Sequence, residues 1–318
     1  MQDEFMVSVC IPTYNHKEWL TKCLNAVFSQ KTNFSFEILV GLEYDDTESE
    51  KYINPIEDDK INFKIIRNTE ERLIYINSNR TGRGNTINLL QNVKGKYVAF
   101  CEGDDYWTDP YKLQKQVDFL ETNDEYVACY GGCMHVDSNN QVIKKTRFEE
   151  YNSPNSEMLL TAQGAMITNS VMFRNVISNF PDFFKHVPSG DTILYHLLGF
   201  HGHGKFLPEI KFSAYRIHNT GLWSGSSDIN RMKNTLMTLV AIKNNLSHYF
   251  GEDHTIIYKM NYSAFKNING YLYKNLYSKN FKEYFKLIIY LLKQNSFSKS
   301  FLLKEHFIDL FQRVFKKK

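Results

Sequence analysis

The chain has 318 residues, of which 42% are hydrophobic and 23% charged, so it can bury one large core or two modest ones. The net charge of +3 hides an asymmetry: from Asp228 onward there are 16 Lys plus Arg against 6 Asp plus Glu, a balance of +10, and the preceding part carries −7. The positive charge of this last third is typical of segments that bind anionic lipid or nucleic acid. It is equally typical of solvated helices that carry scattered lysines. Because the body is acidic, we expect no nucleic-acid binding.

The beginning of the chain carries acids where a signal peptide needs positive charge. The apolar run "YFKLIIYLLK" is too short for a bilayer core of about 30 Å. We therefore expect a cytoplasmic protein, or one that is peripheral at the inner face of the plasma membrane through its basic helices. The five cysteines lack zinc or thioredoxin spacing and are interpreted as reduced thiols.

The first 125 residues alternate apolar runs with amphipathic segments. Residues 7–12 predict a buried strand, and apolar residues at i, i+4 and i+8 over 16–30 predict a helix packed on a sheet. The next predicted elements are strands over 36–42, 61–66 and 73–77, a helix over 82–93, a strand over 96–101, and a helix that begins with Asp109 as N-cap and Pro110 at N1. This alternation predicts βαβ units and a mostly parallel sheet.

Beyond about residue 125 the pattern changes. Strands are expected within 126–136, 170–174 and 205–217, with a helix over 191–200. From Asp228 onward the pattern is helical, and the breaks are expected at Gly251, Gly270 and 294–300.

Polar residues follow each predicted strand of the first half. They are Pro12, Thr13, Tyr14 and Asn15; Glu43, Asp45 and Asp46; Asn79, Arg80, Gly82, Arg83 and Asn85; and Glu102, Asp104 and Asp105. Ligands of open α/β sheets bind beyond the carboxyl ends of the strands. Each group alone is typical of a solvated loop, but four on one edge predict a binding crevice.

The acids in "CEGDDYW" repel one another wherever they are partly buried, and a divalent cation would resolve that repulsion. Mg²⁺ or Mn²⁺ suits hard oxygen ligands and commonly joins a carboxylate to substrate phosphates. No P-loop and no G-x-G-x-x-G follows the first strand. The prediction is a diphosphate held through a metal, with Arg80 and Arg83 as additional positive charges.

Several segments, in order, resemble the inverting nucleotide-sugar glycosyltransferases of family 2. They are "VSVCIPTYN", "EILVGLEYDD", "NRTGRGNTINLL", "EGDDYWTDPYKLQKQ" and "SGDTILYHLLGFHG". "YRIHNTGLWS" is similar to a segment of bacterial members that build cell-surface polysaccharide. The resemblance implies a GT-A catalytic domain over 1–226, with a Rossmann-like sheet, a nucleotide-sugar half (about 1–125) and an acceptor half (about 126–226). A basic helical region over 227–318 follows.

On the donor side, the resemblance implies a nucleobase pocket lined by Pro12, Thr13 and Tyr14. Glu43 would contact the base or ribose, with Asp45 as the alternative, because "GLEYDD" departs from the usual Asp-Asp-Gly-Ser. The residues implied to lie beside the nucleotide are Asn79, Gly82 and Arg83.

The metal-binding D-x-D motif of the family corresponds to Glu102-Gly103-Asp104, with Glu102 near the ribose, Asp104 as principal metal ligand and Asp105 in support. His218 would contact metal or diphosphate, the alternative being a structural histidine. Two further residues have implied contacts: Arg216 with the diphosphate, and Trp223 with a sugar ring or the core.

Asp191 is implied to be the catalytic base, since inversion needs a carboxylate to take the acceptor proton; the alternative is a helix cap. The implied activity is Mn²⁺- or Mg²⁺-dependent transfer of a hexosyl or N-acetylhexosaminyl group from a UDP-sugar to a hydroxyl of a glycan or lipid-linked glycan. Two other readings stay open: a nucleotidyltransferase, and a non-catalytic nucleotide- or glycan-binding or scaffolding relative. Whether the C-terminal helices bind membrane or pack on protein, and whether the chain forms an oligomer, also stays open.

Overall fold

The computed structural model describes residues 4–76, 79–145, 152–163, 166–218, 226–293 and 306–308. The strands are β1 Phe5–Thr13, β2 Phe36–Leu42, β3 Ile61–Arg67, β4 Ile74–Ile76, β5 Asn79–Thr81, β6 Gly95–Phe100, β7 Tyr126–Tyr130, β8 Cys133–Val136, β9 Val142–Lys145, β10 Met172–Arg174, β11 His203–Phe206 and β12 Ser213–Arg216. The helices are α1 Lys17–Phe28, α2 Thr47–Glu50, α3 Arg83–Leu90, α4 Lys112–Thr122, α5 Ser156–Leu160, α6 Phe183–His186, α7 Gly190–Leu198, α8 Asp228–Phe250, α9 Thr255–Tyr277 and α10 Phe281–Leu292.

In the described part of the chain, seven strands form the central sheet in the order β11-β7-β10-β6-β1-β2-β3. β3, β2, β1 and β6 run parallel to one another, as do β7 and β11, and β10 lies antiparallel between β6 and β7. The predicted mostly parallel sheet is therefore confirmed. β12-β8-β9 form a small second sheet, and β4 pairs with β5. Because β1, β2 and β6 are parallel, the loops after them meet at one edge.

Each face of the sheet is covered by a separate apolar cluster. On one face α1 and α4 contribute Leu20, Leu24 and Val117, among others. On the other face α3, α5 and α7 share a cluster with α8, α9 and α10. The predicted helical C-terminal region thus exists through α10 and packs on the body. The boundary at residue 226 stays a prediction. None of the helices in the described part of the chain has the length and apolarity that a bilayer crossing requires.

Two local predictions are wrong. α4 begins at Lys112 rather than after Asp109, because the Asp109 carboxylate and carbonyl accept from the amides of Tyr111 and Lys112 and close a separate turn. Gly270 lies inside α9, where a Cβ would meet nothing within 4 Å, so that glycine does not end the helix. The break at Gly251 is confirmed: its φ of +83° lies in the left-handed region that glycine tolerates.

Candidate active site

The acidic loop Glu102–Asp105 follows β6 and lies against the end of β1. The amide of Gly103 donates to the Pro12 carbonyl, 3.1 Å away. A Cβ on Gly103 would lie 2.4 Å from Thr13 Oγ1 and 2.7 Å from His16 Nδ1. A side chain at this position would therefore push the acidic loop off β1. Glycine sets the close approach that brings the acids to the crevice.

Asp104 is the centre of an acid–imidazole group. His218 Nε2 hydrogen-bonds Asp104 Oδ2 at 2.9 Å, and His16 Nε2 lies 3.8 Å from the same oxygen. Burial would raise the pKa of Asp104, but His16 and His218 hold it below its usual value. The Asp104 carboxylate is therefore ionised at neutral pH and partly open to solvent.

Asp105 is turned inward and is only 2% exposed. Its Oδ1 accepts from the Arg216 amide and its Oδ2 accepts from Asn169 Nδ2. Burial, then Asp104 and Glu102, raise its pKa well above the usual value. Both oxygens of Asp105 already have protein donors, so direct metal contact would cost these bonds. This geometry favours the supporting role that we predicted for Asp105 over ligation.

Glu102 is the acid of the loop that has a buried oxygen, unpaired within the described part of the chain. Its Oε2 is buried and has no hydrogen-bond partner among the described residues. Burial, then the charges of Asp104 and Asp191, raise the pKa of Glu102 to about 8. The structure thus brings the predicted base, Asp191, within electrostatic reach of the acidic loop, although 89 positions separate Glu102 from Asp191 in the sequence.

Arg216 is a structural residue in this arrangement. It is buried, and its Nε donates to the Asp104 carbonyl while Nη1 donates to the Asp137 carbonyl. The expected diphosphate contact by Arg216 is therefore corrected, because its guanidinium holds backbone oxygens instead. Trp223 lies outside the described residues.

The loop after β2 meets strand β5 through Arg80. Its guanidinium makes two bonds of 2.7 Å with Asp45 and lies 3.2 Å from Glu43 Oε2. It also covers the Tyr14 ring, with 4.4 Å from Cζ to the centroid. Glu43 Oε2 additionally accepts from Asn68 Nδ2. The structure therefore pairs Glu43 and Asp45, the two alternatives in "GLEYDD", with one cation, and both acids engage the Arg80 guanidinium.

The remaining predicted donor-side residues line the same edge. Pro12 is partly buried, Thr13 is buried and Tyr14 is exposed at the end of β1. Asn79 begins β5 and Gly82 caps α3, both exposed. Their contacts with a nucleotide stay predictions.

Asp191 and Arg83 meet at the start of α7. Asp191 is exposed in the first turn, and its Oδ1 accepts from the Thr192 amide at 2.7 Å. The N-cap is Ser189, so Asp191 does not cap the helix. Arg83 is buried and donates to the carbonyls of Phe184 and Pro188. These backbone bonds point the Arg83 guanidinium toward the acceptor half, and the expected contact of Arg83 with the nucleotide stays a prediction.

The side chains around Asp104 supply only part of a divalent-cation site. Within the described ranges, no group of three or more His, Cys, Asp and Glu side chains is arranged to hold a metal. Asp104 and His218 nevertheless present a carboxylate and an imidazole at one point beside the uncompensated Glu102. Mg²⁺ is commonly held by one or two carboxylates plus substrate phosphates. The residues therefore fit a cation shared with a diphosphate, not one held by protein alone.

Sequence reasoning missed three contributors: His16, Asn68 and Asn169. His16 follows the exposed loop after β1, and its Nδ1 is buried without a partner. Asn68 and Asn169 hold Glu43 and Asp105 from segments 25 and 64 positions away. Of the three, only His16 could have been found from the sequence, because it lies four positions after Pro12 and directly follows the polar residues after β1.

A family model described as glycosyl transferase family 2 matches residues 8–179, more than half of the chain. An uncharacterized protein of Mycobacterium tuberculosis is 28% identical over 219 residues, which is 68% of this chain and 60% of that protein. The match thus spans about three fifths of such relatives. The Escherichia coli UDP-Glc:alpha-D-GlcNAc-diphosphoundecaprenol beta-1,3-glucosyltransferase WfgD is 26% identical over 145 residues, 45% of this chain and 51% of the enzyme.

Solved structures show the same fold. TarS of S. aureus in complex with UDP-GlcNAc has a TM-score of 0.55 at 16% identity, and the match covers 83% of this chain and 72% of the TarS chain. Mannosyltransferase PcManGT from Pyrobaculum calidifontis, in complex with GDP-Man and Mn²⁺, has a TM-score of 0.52 at 12% identity. That match covers 99% of this chain and 88% of the mannosyltransferase chain. The predicted GT-A fold is confirmed. Because the family model spans most of the parallel sheet and the acidic loop, the chain belongs to glycosyl transferase family 2.

Proposed function

We propose that the protein is a metal-dependent inverting glycosyltransferase that moves a sugar from a UDP-sugar to a hydroxyl of a glycan or lipid-linked glycan. The observation that carries the proposal is that buried Glu102 lies within electrostatic reach of both Asp104 and Asp191, which come from the predicted donor and acceptor halves of the chain. Membership of family 2 supports sugar transfer as the reaction.

In this reaction Asp191 accepts the proton of the acceptor hydroxyl. The hydroxyl oxygen forms a bond to the anomeric carbon while the bond from that carbon to the diphosphate oxygen breaks on the opposite face. Asp191 is exposed at the start of α7 and is not a helix cap, so its carboxylate is open to an acceptor. A carboxylate within hydrogen-bond reach of the hydroxyl is what a general base requires.

Asp104 and His218 would hold a Mn²⁺ or Mg²⁺ ion, which neutralises charge on the departing nucleoside diphosphate when bound. Asp105, fixed by Asn169 and the Arg216 amide, orients the loop that carries Asp104. The Mn²⁺ in the mannosyltransferase structure supports this assignment of a divalent cation.

The donor is proposed to be a UDP-sugar carrying a hexosyl or N-acetylhexosaminyl group. The WfgD name specifies UDP-Glc and TarS is in complex with UDP-GlcNAc, although PcManGT holds GDP-Man. Tyr14 and the Glu43–Asp45–Arg80 group would form the nucleobase end, with Pro12, Thr13, Asn79 and Gly82 beside it.

The acceptor is proposed to belong to surface polysaccharide synthesis at the inner face of the plasma membrane. WfgD acts, by its name, on a diphosphoundecaprenol-linked sugar. One face of α10 supports membrane contact: Phe281, Phe285, Ile289 and Leu292 are each at least half exposed, and Lys282, Lys286 and Lys293 are exposed beside them. An apolar stripe edged by lysines suits an anionic lipid surface.

Lipid contact is tested by co-sedimentation with phosphatidylglycerol vesicles and, as the neutral comparison, phosphatidylcholine vesicles. We expect binding to the anionic vesicles that is lost in Phe285→Ser/Ile289→Ser and kept in Tyr258→Ser, an exposed aromatic on α9. A dimer that the double variant dissociates, without vesicle binding, would overturn the membrane assignment and identify α10 as a subunit interface.

The activity is tested with the intact chain, Mn²⁺ and a panel of UDP- and GDP-sugars, with chromatographic detection of the released nucleotide. Release of UDP at a rate raised by a glycan or lipid-diphosphate-sugar acceptor is the expected result. Pyrophosphate release would instead identify a nucleotidyltransferase, and nucleotide binding without turnover on any donor would favour a non-catalytic relative.

A further inference from the structure

Arg83 begins α3 on the donor half but reaches into the acceptor half. The residue is only 7% exposed. Its Nη1 donates to the Phe184 carbonyl and its Nη2 donates to the Pro188 carbonyl, 3.0 Å away. The guanidinium also stacks on the Phe184 ring, with 4.6 Å from Cζ to the centroid. One side chain therefore bonds both α6 and the short connection between α6 and α7.

That connection leads directly to Asp191. A Cβ on Gly190, the residue before Asp191, would lie 2.3 Å from Arg83 Nη2. Gly190 thus packs on the guanidinium with no room for a side chain. The other support comes from α8, where Thr238 Oγ1 accepts from the Ser189 amide at 3.3 Å. The direction in which α7 starts, and hence the position of the Asp191 carboxylate, depends on these contacts.

Arg83 also remains a cation where it is buried. Burial lowers its pKa to about 10 and the charge of Asp191 opposes that shift. The positive charge therefore persists at neutral pH behind the exposed carboxylate. A fixed planar guanidinium that satisfies two carbonyls cannot be replaced by the single ammonium of lysine without loss of a bond.

We infer that Arg83 is a positioning residue for Asp191: it fixes the α6–α7 connection and thereby places the base, while taking no part in donor binding. The inference rests on the proposed function for the role of Asp191. This role differs from a contact with the diphosphate, because such a contact would make Arg83 contribute to the affinity for the donor.

The test separates donor affinity from turnover. UDP affinity with Mn²⁺ is measured by calorimetry, and kcat and donor KM by UDP release, for Arg83→Ala and Arg83→Lys. Small displacements of a reacting group cost about 100-fold in rate, so we expect a kcat loss of that order for Ala, partial recovery with Lys, and unchanged UDP affinity. Lys185→Ala is the matched control, because Lys185 lies on α6 but pairs only with exposed Asp182 among its described contacts.

A second readout does not need turnover. Hydrogen exchange of the amides over 187–193 should accelerate in Arg83→Lys and in Gly190→Ala, which crowds the same contact from the other side, but not in Lys185→Ala. Loss of UDP affinity in Arg83→Lys, or full kcat with unchanged exchange, would overturn the inference. If the wild-type chain transfers no sugar while exchange still responds, the proposed function fails and the Arg83 contact stands.

Discussion

The donor end and the acceptor end of the candidate site are held in different ways. At the donor end, Glu43 is buried and shares Arg80 with Asp45, and Asp105 has a protein donor on each oxygen. At the acceptor end, Asp191 is exposed, and among its described contacts its carboxylate accepts only from the adjacent Thr192, while Arg83 holds the segment before it. The difference suggests that donor recognition relies on preformed charge pairs, whereas the base is left open for a variable acceptor.

The largest expected effect comes from Asp191→Asn. General bases contribute roughly 10²–10⁴-fold, so transfer should fall by that order while UDP affinity stays unchanged. Asn keeps an oxygen for the Thr192 amide, so the start of α7 is preserved. Kinetics beside calorimetry measure both quantities. Asp182→Asn, at a 91% exposed side chain before α6, serves as control. If Asp191→Asn lowered the UDP affinity and the transfer rate by the same factor, the proposed difference between the donor and acceptor ends would be wrong.

Asp104→Asn should act at the donor end. We expect the Mn²⁺-dependent rise in melting temperature with UDP to disappear, since a ligand that binds the native state stabilises it by mass action. Turnover should fall by about 100-fold as charge neutralisation is lost. Asp118→Asn removes an exposed acid whose carboxylate bonds only Gln114 among its described contacts and should change neither quantity. If Asp104→Asn kept the Mn²⁺-dependent rise in melting temperature with UDP, Asp104 would not be a metal ligand.

Arg80→Ala should weaken UDP binding by about tenfold, because the buried Glu43 loses its charged partner and Asp45 is released. The turnover at saturating donor should change little, which is the reverse of the Arg83 pattern. Arg72→Ala, which removes an exposed bond with Gln91, is the control. Unchanged UDP affinity would show that the Arg80 group is not part of the nucleobase end.

The smallest expected effect on activity is that of Lys112→Met, beneath the acidic loop. Lys112 is fully buried, bonds Gln116 and covers the Trp107 ring. Burial lowers its pKa to about 7 from the usual 10.5. Between these values the unfolded chain binds the extra proton, so wild-type stability should rise with pH by up to about 1.4 kcal/mol per unit relative to Lys112→Met. Denaturant unfolding from pH 7 to 10 checks this, and parallel curves would contradict it.

Local sequence patterns predicted the parallel sheet and the acidic loop, because strand and helix periodicity and turn chemistry act over a few residues. They also placed Pro12, Glu43 and Asp104 on one edge, whereas Asp191 was predicted as the base only from the family resemblance. They could not predict that Arg83 turns to the α6–α7 connection or that Arg216 holds the Asp104 backbone. Those contacts join segments about 100 positions apart and depend on tertiary packing.

The stereochemistry of donor hydrolysis tests the central claim, a single displacement with Asp191 as base, most directly. The wild-type chain with Mn²⁺ and UDP-glucose or UDP-GlcNAc would be followed by proton NMR, with water as the acceptor. The account predicts that the β-anomer of the free sugar appears first and that Asp191→Asn abolishes its formation. First release of the α-anomer, or hydrolysis unaffected by Asp191→Asn, would contradict it.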